Sequence, residues 1–295
     1  MFRALLRHGI GIRYPCAGVS DTQLKFDGEL GRDGKTSRDY FAVLLRNHDI
    51  SCTPGLNPRI AIVGLSPAST QIGEFRDEYK VTKDYAAASI AGAFAGLHKN
   101  IIAMLKGLGI AEKLNIEFLP NPNSLAKNPD IFGTSLVACA SLRSDGNTRD
   151  FKVANFPAAC RCITKRFVDE ILNSDFKRLS HIFILGVEGW NAVNLLKMVG
   201  DITVLEHLQK HGKTVIMLPH PAGGNGEYIK LASFAARDMP DVKSYQEKMW
   251  QEYLIGKTKS GKPPEPEAIY KHRRKTIWEN VDRLREDIAR WAQPQ

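Results

Sequence analysis

The chain has 295 residues, 43% hydrophobic and 25% charged, with a formal net charge of +9 and a pI near 9.3. These proportions fit an ordinary folded chain and exclude a low-complexity one. No stretch approaches the roughly 18 consecutive apolar residues that a bilayer-spanning helix needs. The basic excess fits either a polyanionic partner, bound through counterion release, or a solvated surface that favours solubility.

In chain order, "MFRALLRHGIGIRYPC" carries charges inside its apolar run and has no small-residue cleavage site. It does not read as a secretory signal, and a cytoplasmic location is expected. Residues 1–57 are Gly-rich and irregular around one helical segment, "SRDYFAVLLRNH", and are expected to pack as an extension on the core. "RIAIVGLSPAST" is a β-branched run that breaks at Gly64 and Pro67, a buried strand entering a loop. The Ala-rich stretch "DYAAASIAGAFAGLHKNIIAMLKGLGI" has helical spacing and stops at glycines. "LNIEFLPN" and "TSLVACASLR" read as strands, and "FPAACRCITKRFVDEILNS" as an amphipathic helix opened by a proline.

"LSHIFILGVEGWNAVNLLKMVG" then reads as strand, Gly turn and helix, and "GKTVIMLPHPAGG" as the last strand and its loop. Strands alternating with helices imply right-handed crossovers. The fold class is therefore α/β, a three-layer α/β/α arrangement around a mainly parallel four-stranded sheet. Ligands of such sheets bind at the carboxyl ends of the strands, where the loops "GLSPAST", "ASLRSDGN", "GVEGW" and "HPAGGNG" should gather. The α/β domain is read as 58–240. Residues 241–295 are read as a Pro-rich linker, "KTKSGKPPEPE", and a charged C-terminal helix.

The loops, in this order, resemble the uracil-DNA glycosylase superfamily over roughly residues 58–235. "IAIVGLSPAST" is similar to the family's Gly-x-x-Pro-Gly/Ala loop, and "LPHPAGGNG" to its His-Pro-Ser motif with Ala222 in the Ser place. "TSLVACASLRSDGNTRDFKVANFPAACRCITKRFVDEI" looks like the middle segment of the iron–sulfur branches. "HIFILGVEGWNAV" looks like the family's strand-Gly-helix unit.

The resemblance implies a monofunctional DNA glycosylase. Such an enzyme extrudes a base from the stack, hydrolyses its N-glycosidic bond and leaves an abasic site. DNA is the implied partner, with no membrane and no obligate protein partner. His220 would donate a hydrogen bond to the departing base, a contribution of about 2.7–4 kcal/mol from a preorganised donor. Gly64, Leu65, Pro67 and Ala68 would line the pocket, with Ser66 positioning the attacking water. Pro221, Gly223, Gly224 and Asn225 would bring backbone close to the sugar-phosphate chain, where side chains would collide. Asn147 would lie in the DNA-contacting loop of the middle segment. No lysine is singled out for Schiff-base chemistry.

Three departures qualify this reading. Ser66 stands where the family carries a carboxylate or Asn, and a hydroxyl is a poor general base near neutral pH. The branch with a "GLAPA" loop draws its carboxylate from downstream, which makes Asp84 in "YKVTKDYAAASI" the candidate, with Glu74 and Asp77 in reserve. Ser135 occupies the place of a base-reading Asn, and Val81 that of a stacking Phe, with Tyr79 and Tyr85 nearby. The implied substrate is uracil or a bulkier modified pyrimidine. One such base is the hypermodified phage cytosine that some bacterial members of this superfamily are understood to excise in antiviral defence.

Of five cysteines, Cys139 and Cys160 match two iron–sulfur ligands of the family, but no Cys-x-x-Cys supplies the other pair. Cys16 and Cys52 would have to meet through folding to complete a four-iron cluster. The alternative is a set of ordinary buried thiols. The chemistry itself requires no cofactor. Two other functions stay open: a catalytically inactive DNA-binding relative, and an unrelated α/β enzyme that binds a nucleotide. The chain has no G-x-x-x-x-G-K-[ST] or G-x-G-x-x-G loop to favour the last.

Overall fold

A computed structural model describes residues 57–118, 124–137, 157–172, 176–222 and 225–291. The expected N-terminal helix, Asn147, Gly223, Gly224, Cys16, Cys52 and Cys139 lie outside the described residues. Of those described, residues up to His98 and from Phe118 to His220 form one compact unit. Lys99–Glu117 and the residues from Pro221 onward form a second.

The first unit holds four strands of five residues: β1 (Ile60–Gly64), β2 (Ile131–Ser135), β3 (His181–Leu185) and β4 (Thr214–Leu218). All pair in parallel in the order β2-β1-β3-β4. β1 to β3 are short and almost wholly buried, which is why they read as near-continuous apolar runs instead of alternating ones. The expected strand at "LNIEFLPN" does not form in its described part: Asn115 turns to φ +49° and residues 114–118 stay outside the sheet. β2 starts earlier than expected, at Ile131.

Helices cover both faces. After β1 come α1 (Ser69–Thr82) and α2 (Tyr85–Gly92). A Cβ on Gly92 would lie 2.8 Å from the Gln71 carbonyl oxygen, so this glycine sets how closely the two helices pack. The Ala-rich segment, expected as one helix, breaks where Phe94 and Gly96 take positive φ. It resumes as α3 (His98–Gly107) and, past Gly109, as α4 (Ile110–Lys113). A short α5 (Ser124–Lys127) precedes β2.

Pro157 opens the next helix, α6, where its missing N–H costs nothing. This run is α-helical over Pro157–Arg161, π-helical over Cys162–Phe167 and α-helical again over Val168–Ile171. α7 (Val187–Leu195) and α8 (Val204–Lys210) lie between β3 and β4. Ala61, Val63, Phe132, Ile182, Ile184 and Val215 share one apolar cluster with Ile163 and Phe167 of α6, Val193 of α7 and Leu208 of α8. On the opposite face, the ring of Phe94 closes over Gly133.

The second unit contains α9 (Gly226–Ser233), α10 (Val242–Ser260) and α11 (Glu267–Arg290). The expected linker "KTKSGKPPEPE" is mostly not one: its first four residues end α10, and only the stretch from Gly261 (φ +64°) to Pro266 links the helices. The two prolines at 263 and 264 weigh on composition, yet Lys257–Ser260 retain good helix formers. α10 and α11 are joined by packed rings, Tyr253 on Tyr270 at 4.3 Å and Trp250 on Tyr270 at 5.4 Å. α9 is gripped at both ends. Its Glu227 pairs with Arg274 at 2.7 Å and accepts from the Tyr245 hydroxyl, while Arg285 donates to the carbonyls of Leu231 and Phe234.

A Cβ at position 133 would sit 2.5 Å from Cζ of Phe94. Gly133→Ala is expected to lower stability by about 1–3 kcal/mol, the usual cost of overpacking. Chemical denaturation should show the loss, and a Phe94→Leu background should reduce it.

Candidate functional site

The strand order builds the site. The connection after β1 runs to β2 on one side, whereas that after β3 runs to β4 on the other, with its helices on the opposite face. β1 and β3 therefore flank the topological switch point, beyond whose carboxyl ends sheets of this kind bind their ligands. The turn Gly64–Ala68 leaves β1 there, and Gly186 leaves β3.

The Gly64–Ala68 turn is held by backbone on one side and a helix start on the other. Gly64 is the last register partner of Ser135. Beyond the strand, the Leu136 amide donates to the Gly64 carbonyl at 2.8 Å and the Val137 amide to the Leu65 carbonyl at 2.9 Å. Pro67 is buried, and the Ala68 amide donates to the side-chain oxygen of buried Gln71 at 2.9 Å. Ser66 is part-exposed at the crest. Ser135 is 5% exposed, with its Oγ 3.7 Å from where a Cβ on Gly64 would stand.

His220 follows β4 by two residues. The Gly186 amide donates to the Leu218 carbonyl at 2.8 Å, which draws the β3 turn against the end of β4. A Cβ on Gly186, whose φ is +83°, would come within 3.0 Å of His220 Cβ. Glycine is thus required twice, for its conformation and for the closeness of the imidazole. Two strand spacings, roughly 10 Å, separate the β1 and β4 ends, so His220 and Ser66 share one edge with the Gly186 turn between them. Burial pushes the His220 pKa below its ordinary value, which keeps the ring neutral near pH 7.

Asp84 is elsewhere. The resemblance requires it near the turn, but residues 69–82, with one glycine and no proline, wind into α1. That helix runs about 21 Å at 1.5 Å per residue before Asp84 is reached. Asp84 is exposed there, and its carboxylate accepts from the Ala87 amide at 3.3 Å at the start of α2. Tyr79 and Val81 occupy the same far half of α1, 41% and 83% exposed, with Tyr79 stacked on Phe75. Glu74 is exposed, and Asp77 pairs with Lys80 on the surface.

The chain's densest basic run, Lys271–Lys275, is largely neutralised inside the second unit. Lys271 pairs with Glu247 and Glu267, Arg273 with Glu265, Arg274 with Glu227 and Lys275 with Glu279. Among the described residues, no group of three or more His, Cys, Asp and Glu side chains is placed to hold a metal. Of the four expected cluster ligands only Cys160 is described, half-buried in the first turns of α6, with Cys162 buried beyond it. No described helix is long and apolar enough to cross a membrane.

Sequence reasoning missed Arg166 and Glu170. Each is 3% exposed, and they pair at 2.8 Å beneath the end of β2. Their i,i+4 spacing reads as an ordinary surface pair on a helix, and only packing turns it inward. Also missed was Asn100 of α3, whose amide donates to the Pro221 carbonyl at 2.7 Å. Searches against protein-family descriptions, curated proteins and solved structures found no match to this chain.

The depressed His220 pKa makes folding stability depend on pH on the acid side. The unfolded chain takes up its proton at higher pH than the folded one, so this group leaves stability untouched well above 6.5 and lowers it as pH falls through 6.5. Burial shifts His98 in the same direction, adding to the same acid-side loss. NMR titration of the His220 ring should give a midpoint below 6.5, and His220→Gln should shrink the stability loss on acidification.

Proposed function

We propose that this protein is a DNA glycosylase that takes a flipped uracil or bulkier modified pyrimidine at the sheet edge between the Gly64–Ala68 turn and His220. The observation that carries the reading is the neutral, half-buried imidazole of His220, braced against Gly186 at the switch-point edge that the Ser66 turn also reaches. A neutral imidazole can donate an N–H to a base leaving with negative charge. The N-glycosidic bond breaks with its electron pair going to the base, and a water oxygen bonds to C1′. The water gives up one proton to solvent, and the departed base takes one from solvent.

Ser66 is the group best placed to orient that water, since Asp84 stands at the far end of α1. Positioning without a strong base suffices when charge separation dominates the barrier, because the oxocarbenium-like sugar is reactive enough for water itself. Ser135 replaces an amide reader with a small hydroxyl, which favours a base wider than uracil or one with a retuned edge. DNA as partner, a cytoplasmic site of action and a role in defence against modified phage DNA belong to the same proposal.

One observation favours a second reading, a DNA-binding relative without catalysis: no acidic residue lies within the turn 64–68. DNAs carrying uracil, deaminated purines or hypermodified pyrimidines separate the two, with released bases detected by mass spectrometry. The glycosylase reading expects free base from at least one DNA, a loss of about 100-fold or more in His220→Ala, and DNA binding retained in that variant. Base release undiminished in His220→Ala removes the histidine from the mechanism. Salt-sensitive binding with no base released from any DNA establishes the second reading.

A further inference from the structure

Arg166 is a fully buried cation in a fold that has apolar alternatives at hand. From the π-helical part of α6 its guanidinium donates to Glu170 at 2.8 Å, to the Leu136 carbonyl at 2.9 Å and to the Ser135 carbonyl. Thr134 donates its hydroxyl to the same Glu170 oxygen at 2.8 Å. Three successive residues at the end of β2 are thereby tied to one ion pair.

Such a pair is a poor device for stability. Desolvating both charges offsets much of their attraction, and apolar side chains of similar volume often do as well. A guanidinium offers something that they lack, several donors fixed in one plane. Here that plane fixes the carbonyls of Ser135 and Leu136, and the Leu136 and Val137 amides in turn hold the carbonyls of Gly64 and Leu65. The chain of contacts runs from Arg166 through the β2 tip to the turn that carries Ser66. A π-helical turn, costly in an isolated helix and frequent at functional sites, delivers the side chain to this spot.

We infer that Arg166, aligned by Glu170, is a positioning residue that sets the Ser135 tip and the Gly64–Ser66 turn of the base pocket. The assignment of a base pocket rests on the function proposed above; the mechanical link does not. The main variant is Arg166→Met with Glu170→Met in the full-length chain, which leaves no lone buried charge. Arg166→Lys is the second, keeping a charge opposite Glu170 but not the planar pair of carbonyl contacts, and it replaces the first should that variant fail to fold.

Hydrogen exchange is read at single amides, beside kcat and DNA affinity. The inference expects exchange about tenfold faster or more at Leu136 and Val137, with the β4 amides Val215–Met217 little changed. It also expects kcat to fall about tenfold or more while the DNA Kd stays within about twofold. Unchanged exchange at Leu136 and Val137, or equal acceleration across β3 and β4, overturns it, because the pair is then either idle or a general stabiliser. Local loosening with unaltered kcat overturns the catalytic consequence. A wild-type protein that releases no base from any DNA defeats the proposed function, and the exchange pattern still decides whether Arg166 positions the turn.

Discussion

Parallel pairing in the order β2-β1-β3-β4 is the constraint from which the site follows. Parallel strands deliver all their carboxyl ends to one edge, and the reversal of crossover direction between β1 and β3 sets the switch point there. Strands of five residues make the sheet thin, so the turns after β1 and β3 sit directly on the buried core. Glycine at 186 and proline at 67 are the local responses. One allows a positive φ against an imidazole, and the other, three residues past β1, immediately precedes the amide that is taken up at the start of α1.

Charge is handled in two ways by this chain. On the second unit the cations of the Lys271–Lys275 run meet acidic partners on α9, α10 and α11 or in the link before α11, mostly on part-exposed surface where each pair adds little stability. Beneath β2 a single pair is buried completely and takes up backbone carbonyls as well as its own counter-charge. The first arrangement lowers the charge available to a polyanion despite the +9 total. The second spends desolvation on geometry. Net charge therefore overstates the positive charge this surface leaves unpaired.

The loop that leaves His220 has a structural consequence of its own. Pro221 hands the chain to the second unit, where Asn100 fixes its carbonyl and the hairpin of α10 and α11 clamps α9 at both ends. The C-terminal helices are thus bound to the residues that follow the histidine motif instead of hanging from a linker. A division at residue 240 cuts through this unit. The compact partition falls at 220–221 and recruits the separate segment 99–117, because Arg285 and Lys113 bridge it to α11.

From sequence alone the α/β class and the strands β1, β3 and β4 with the turns that leave them were legible, since buried β-branched runs, glycine turns and helical spacing are local patterns; the strand expected at "LNIEFLPN" did not form, and β2 began ahead of its expected start. His220 and the Gly64–Ala68 turn were legible for the same reason, each lying at the end of such a run. Folding alone set Asp84 far from the turn, because a resemblance between short motifs does not fix how the residues between them wind. It also decided that Arg166 and Glu170 point inward, as i,i+4 spacing is identical on the buried and exposed sides of a helix. The linker and the basic run likewise took their meaning from partners distant in sequence, which composition cannot encode.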